Sequence, residues 1–174
     1  KKKIFLKCWH WIGDNSSCKE GNIKIPFDIL PKFLNEPVVI SNSDKNKIKC
    51  FSNVCTHRGN ILVHEKCKSK KIICNYHGRR FDDEGKFEFM PEFKETINFP
   101  RKSDNLHDFP LFVWHNLIFV GLNPSFSIEK VFEKINERIS FLPLQNLKLD
   151  KKLSKDYSIH ANWALYCDNY LEAV

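Results

Sequence analysis

Cys55-Thr56-His57-Arg58-Gly59-Asn60 and Cys74-Asn75-Tyr76-His77-Gly78-Arg79 are the two stretches on which the reading of this chain turns. Between His57 and Cys74 lie 16 residues, so two thiolates and two imidazoles arrive as matched pairs. Thiolate and neutral imidazole suit zinc and iron–sulfur centres, and each pair can grip one side of a metal site. Val54 and Ile73 end strand-like runs just before the cysteines, whereas Arg58-Gly59-Asn60 and Gly78-Arg79 begin loops just after the histidines. This order predicts two hairpin tips clasping something between them. Glycine at each tip lets the backbone come close, and its amide is expected to donate a hydrogen bond to inorganic sulfide. Two other readings use the same residues: a two-Cys, two-His zinc site, and two core cysteines beside two hydrogen-bonded histidines.

Outward from the motif, short apolar runs alternate with turn signals. They are Pro37–Ile40, Ile48–Phe51, Lys71–Cys74, Phe87–Phe89, Leu111–Trp114 and Leu117–Val120, and they predict a small antiparallel β assembly. Asp82-Asp83-Glu84-Gly85 reads as a hairpin turn with Gly85 at positive φ, and His115-Asn116 as another. The character changes after Asn123-Pro124. Ser127 is placed to cap a helix carrying Ile128, Val131, Phe132, Ile135 and Ile139, and a second helix is expected from near Asn162.

With 174 residues, 42% hydrophobic and 28% charged, the chain has an ordinary globular composition and room for a core without staples. Its longest apolar stretch, Phe109 to Leu122, is interrupted by His115-Asn116 and is too short to span a bilayer, so no membrane role is expected. Seven cysteines, odd in number and scattered, do not form a secreted disulfide framework and point to a reducing, cytoplasmic setting. The net charge of +7 lies mostly in the first 72 residues, but no groove-reading motif accompanies it, and nucleic acid is not expected as a partner. The opening Lys1-Lys2-Lys3 lacks an initiator Met, which suggests a piece of a longer polypeptide.

The paired motif resembles the signature of the Rieske iron–sulfur family, C-x-H, a spacer, then C-x-x-H. The resemblance implies a mainly β (α+β overall) chain: an antiparallel β-sandwich with a small cluster-binding subdomain at residues 1–123. In that family the cysteines hold one iron and the histidines the other iron of a [2Fe–2S] cluster, which places Cys55, His57, Cys74 and His77 as ligands. Oxidised, two ferric ions, two sulfides and two thiolates sum to zero charge, and one electron adds a single negative charge. Asn60 and Tyr76 stand where respiratory members carry a disulfide, so the likeness is to the oxygenase or ferredoxin kind.

Ala161-Asn162-Trp163 and Asp168-Asn169-Tyr170-Leu171-Glu172 resemble the segment that opens the catalytic domain of Rieske non-haem iron oxygenase large subunits. Residues 124–174 are accordingly read as the first helices of a truncated α+β catalytic domain. The resemblance implies that Glu172 bridges a cluster histidine of a neighbouring subunit to a ligand of a mononuclear Fe(II), which would follow just beyond Val174. It further implies an electron-donating reductase or ferredoxin, O₂, a small organic substrate and a homo-oligomer, commonly a trimer. A stand-alone Rieske ferredoxin-like carrier is the alternative, with a zinc-binding interaction domain behind it. Three positions depart from the family: Arg79 replaces a frequent Trp, Ala164 a common Lys, and Glu172 a frequent Asp. Arg58, Arg79 and Arg80 are read either as tuning or docking charges or as ordinary exposed cations, while Trp9, Trp11, Trp114 and the Phe-rich run 81–99 are assigned to the core.

Overall fold

A computed structural model of the chain describes residues 3–43, 47–93, 95–150 and 152–172. Lys1, Lys2 and the Val174 end lie outside them. Among the described residues eleven strands run in the order β1 (Trp9–Asp14), β2 (Ile23–Ile29), β3 (Glu36–Asn42), β4 (Ile48–Ser52), β5 (Cys67–Lys68), β6 (Ile72–Ile73), β7 (Arg80–Phe81), β8 (Phe87–Phe89), β9 (Asp108–Phe109), β10 (Leu111–Trp114) and β11 (Leu117–Gly121). Helices α1 (Ile128–Ile139) and α2 (Trp163–Glu172) follow. Among the described residues three sheets form, ordered β5-β2-β3-β4-β9, β1-β11-β10 and β6-β7-β8, with every pairing antiparallel. The chain is mainly β, as its alternating runs predict.

Side chains on a strand point alternately to opposite faces. In β3 this sends Val38 and Ile40 one way and Val39 the other, and in β4 it separates Cys50 from Phe51. Val38, Ile40 and Cys50 join Ile118, Val120 and Leu122 in one core between the five-stranded sheet and the β1-β11-β10 sheet. Val39 and Phe51 join Leu62, Ile72, Phe81 and Leu106 in a second core beneath the small sheet. The unbroken apolar run Val38-Val39-Ile40 thus reflects a strand covered on both faces. Cys55 and Cys74 belong to the second core.

The sequence pattern left β1 and β2 unforeseen. A register shift between Trp11 and Gly13 interrupts the alternation of β1, and Pro26 lies inside β2. Trp11 is 51% exposed, against the core position expected for it, because its register sets it opposite Phe119, on the face turned away from the core residues Ile118 and Val120. The two turns form as expected, with Gly85 at φ +75° and His115 at φ +51°. Ser127 accepts a hydrogen bond from the Lys130 amide and caps α1. Phe132 of α1 packs on Phe112, Trp114 and Phe119, with centroids 5.5, 4.5 and 5.0 Å away. By contrast α2 leaves Leu165, Tyr166, Tyr170 and Leu171 exposed and meets the domain where Trp163 lies edge-on to Phe5, 5.1 Å between centroids.

The β7–β8 turn fastens the small sheet to the large one. Leu106 donates its amide to the Gly85 carbonyl at 2.8 Å, and a Cβ added to Gly85 would stand 2.8 Å from the buried Phe51 ring. Gly85→Ala therefore combines a left-handed backbone with overpacking and is expected to destabilise the protein by about 2 kcal/mol or more, read as a lowered urea midpoint.

Candidate metal centre

Two six-residue loops, 55–60 and 74–79, rise from matching antiparallel rungs. Val54 bridges Ile61 beneath the first, and Ile73 pairs with Arg80 beneath the second. The loops close alike. The Cys55 amide donates to the Asn60 carbonyl and the Cys74 amide to the Arg79 carbonyl, both at 2.8 Å. The Gly59 and Gly78 amides return to the Cys55 and Cys74 carbonyls at 3.0 and 2.9 Å. Both glycines adopt positive φ, +74° and +70°, which L side chains rarely adopt. Their amides, expected to reach inorganic sulfide, are instead spent within the loops. Histidine occupies the third place in one loop and the fourth in the other.

This framework brings thiol to thiol and imidazole to imidazole. Cys55 and Cys74 are buried and lie close enough for each thiol to shift the other's ionisation. The His57 and His77 rings are half-buried with centroids 4.9 Å apart. No three His, Cys, Asp or Glu side chains among the described residues converge on one ion position. The four candidate ligands stand as two pairs.

The surroundings favour the ligating forms of Cys74 and His57, while burial raises the Cys55 thiol. Burial pushes the Cys74 thiol up, but amides of Tyr76 and His77, with the Cys55 and Asn60 side chains, outweigh it and hold it below the ordinary thiol range. Burial, then His77, Arg58 and Arg79, hold His57 below the usual imidazole range, which keeps it neutral. Nδ1 of His77 is buried without a hydrogen-bond partner. A buried ring nitrogen left bare is costly unless a metal takes its lone pair. The donor set and this orphaned atom fit a [2Fe–2S] group.

Two supports escaped the sequence reading. Asn60 reaches across the loops, its Nδ2 3.7 Å from Cys74 Sγ. Asn53, buried just before the first loop, exchanges hydrogen bonds with Val63 at 2.8 and 2.9 Å. A polar residue at the end of a strand, two places before a ligand cysteine, was the available signal. Arg79 corrects the reading of an exposed cation: it is 2% exposed and pairs with Asp104. Its planar guanidinium lies among Phe81, Phe87 and Phe99 at the place of the frequent Trp. Arg80 pairs with Glu88 at 3.3 Å, and Arg58 is exposed. Glu172 lies exposed on the last turn of α2, and no described hydrogen bond or ion pair joins it to the ligand loops.

An antiparallel sandwich bearing a small sheet with paired Cys-x-His and Cys-x-x-His loops defines a Rieske-type iron–sulfur domain. The Rieske [2Fe-2S] domain family matches residues 8–100, and the chain belongs to that family. Choline monooxygenase of Beta vulgaris is 27% identical over 99% of this chain and 39% of its own length. The carnitine monooxygenase oxygenase subunit of Acinetobacter pittii is 25% identical over 99% of this chain and 46% of its own. The quaternary ammonium Rieske monooxygenase CntA, solved with L-carnitine, superposes with a TM-score of 0.76 and 22% identity over 98% of this chain and 48% of that one. Naphthalene 1,2-dioxygenase from Rhodococcus sp. gives 0.65 at 25% identity, covering 74% and 30%. The chain thus spans less than half the length of these relatives. No helix among the described residues is long and apolar enough to cross a membrane.

The Arg79–Asp104 pair has a pH signature. Burial raises Asp104, but the Arg101 amide and the Arg79 guanidinium outweigh it and hold the carboxyl below its usual range. Stability from a depressed carboxyl is present above its unfolded pKa and lost as pH falls through the folded one. Wild-type protein is expected to lose more unfolding free energy below about pH 4 than Asp104→Asn does, measured by urea titration across pH.

Proposed function

We propose that this chain is the electron-delivering part of a Rieske non-haem iron oxygenase large subunit, with residues 1–123 as the Rieske domain and 124–174 opening the catalytic domain. The observation that carries the reading is the pair of twin loops that set two facing thiols beside two facing imidazoles, with His77 Nδ1 bare. Cys55 and Cys74 would hold one iron and His57 and His77 the other, and the bound group supplies one-electron transfer. Thiols paired with thiols, and imidazoles with imidazoles, support two ions each gripped from one side over a single tetrahedral zinc. The chain's own part is to orient: the loop amides, with Asn60, favour thiolate at Cys74, and burial, with Arg58 and Arg79 nearby, keeps the His57 ring neutral.

The domain would accept electrons from a reductase or ferredoxin and pass them to a mononuclear Fe(II) in the longer protein, where O₂ oxidises a small organic substrate. Relatives matching over 99% of this chain support this over a stand-alone carrier, and their names, choline and carnitine monooxygenase, favour a quaternary ammonium compound as substrate. Glu172 would accept a hydrogen bond from His77 of an adjacent subunit in a homotrimer. A solved quaternary ammonium Rieske monooxygenase is described with inter-subunit electron transfer, which supports that arrangement. The apolar side chains exposed on α2 suit burial by further protein. All seven cysteines are free, which suits the cytoplasm.

Two variants of the full-length protein separate the roles. Cys74→Ser is expected to abolish visible absorption and acid-labile sulfide. Glu172→Gln is expected to keep both while turnover falls by about tenfold or more. Retained colour in Cys74→Ser contradicts the ligand assignment, and unchanged turnover in Glu172→Gln contradicts the bridge.

A further inference from the structure

Arg79 leaves the second ligand loop and turns inward. Its carbonyl accepts the Cys74 amide at 2.8 Å and so closes that loop. Its guanidinium lies 4.9 Å from the Phe87 centroid, 5.6 Å from Phe99 and 5.9 Å from Phe81. Nη2 donates to Asp104 Oδ1, whereas Nε is buried without a hydrogen-bond partner. Asp104 is fixed in turn. Its Oδ2 accepts the Arg101 amide at 2.7 Å, and its carbonyl accepts the Thr56 hydroxyl at 2.8 Å. Thr56 sits between Cys55 and His57. A continuous path of polar contacts therefore runs from one ligand loop through Arg79 and Asp104 to the other.

The two charges of the clasp stand against both loops. The Arg79 backbone closes the second loop, and Asp104 holds Thr56, between Cys55 and His57, in the first. Opposite charges held in a poorly polarisable setting act strongly and with opposite sign on a nearby change of charge. One-electron reduction is such a change, since it adds one negative charge to the centre.

We infer that Arg79 and Asp104 form a charged clasp that positions the two ligand loops and sets the midpoint potential of the centre they hold, Arg79 favouring the reduced form and Asp104 opposing it. The inference rests on the cluster reading above. Both are positioning residues, acting through Cys74 and Thr56 and through their charge.

Redox titration of the holoprotein tests it, with dithionite supplying the electron, visible absorption and the reduced-state EPR signal as readouts, and iron and acid-labile sulfide counted per chain. At the wild-type midpoint, Arg79→Met is expected to lower the reduced-to-oxidised ratio by about threefold or more, and Asp104→Asn to raise it by a similar factor. Arg79→Lys should bring the ratio back toward wild type. A pair that only fills the core would change stability without moving the midpoint in opposite directions. Midpoints unchanged at full cluster content, or moved the same way by both variants, overturn the inference. Should Arg79→Met fail to take up cluster, Asp104→Asn decides alone: a raised ratio supports the clasp, and an unchanged or lowered one overturns it. Folded wild-type protein free of sulfide would instead remove the cluster reading, and the clasp's redox role with it.

Discussion

Each ligand loop depends on one hydrogen bond, from a cysteine amide to the carbonyl five residues on, which bends six residues into a closed frame. Such a bond contributes only about 1 kcal/mol of net stability. Its importance is conformational. With the returning glycine amide it leaves the cysteine and histidine side chains facing into the space between the loops. Because the same closure occurs twice on the same kind of rung, two unrelated stretches of chain present their donors as mirror partners. A metal centre that gains and loses an electron works best when its ligands barely move, and loops tied at both ends meet that need.

The rest of the architecture sorts the ligands by depth. Alternation along β3 and β4 splits the apolar residues into two cores, and the cysteines stand in the second one with Phe51 and Phe81. The histidines stand higher and half-exposed, with Tyr76, 58% exposed, lying 3.8 Å from the His77 ring. Buried thiolates need a positive partner, which the centre's irons would supply, and imidazole rings at the surface offer an edge through which another protein's group can connect. Beneath both runs a wall of Phe93, Phe99 and Phe87 that continues to the Arg79 guanidinium.

What could be read in advance follows from how local its cause is. The closure of each Cys/His loop, the Gly85 turn and the Ser127 cap are decided by residues within a few places of one another, and all of them formed where expected. The sandwich was legible from the short apolar runs between turn signals at β3, β4, β10 and β11. It was not legible at β1 or β2, where the Gly13 bulge and Pro26 break the pattern while partner strands still hold the backbone. The exposed-cation reading of Arg79 failed for the same reason at longer range. Its burial depends on Asp104, 25 residues away, and on three phenylalanines from different elements, none of which marks the arginine itself. Asn60 likewise acquires its role only when the second loop arrives beside it.

The central claim is that thiols and imidazoles serve two different irons. Mössbauer spectroscopy of oxidised protein, prepared anaerobically with isotopically enriched iron, tests it most directly. The account predicts two ferric environments in equal amounts, one sulfur-ligated and one with the larger isomer shift of nitrogen ligation. A single iron environment, or folded protein holding zinc without iron, would contradict it.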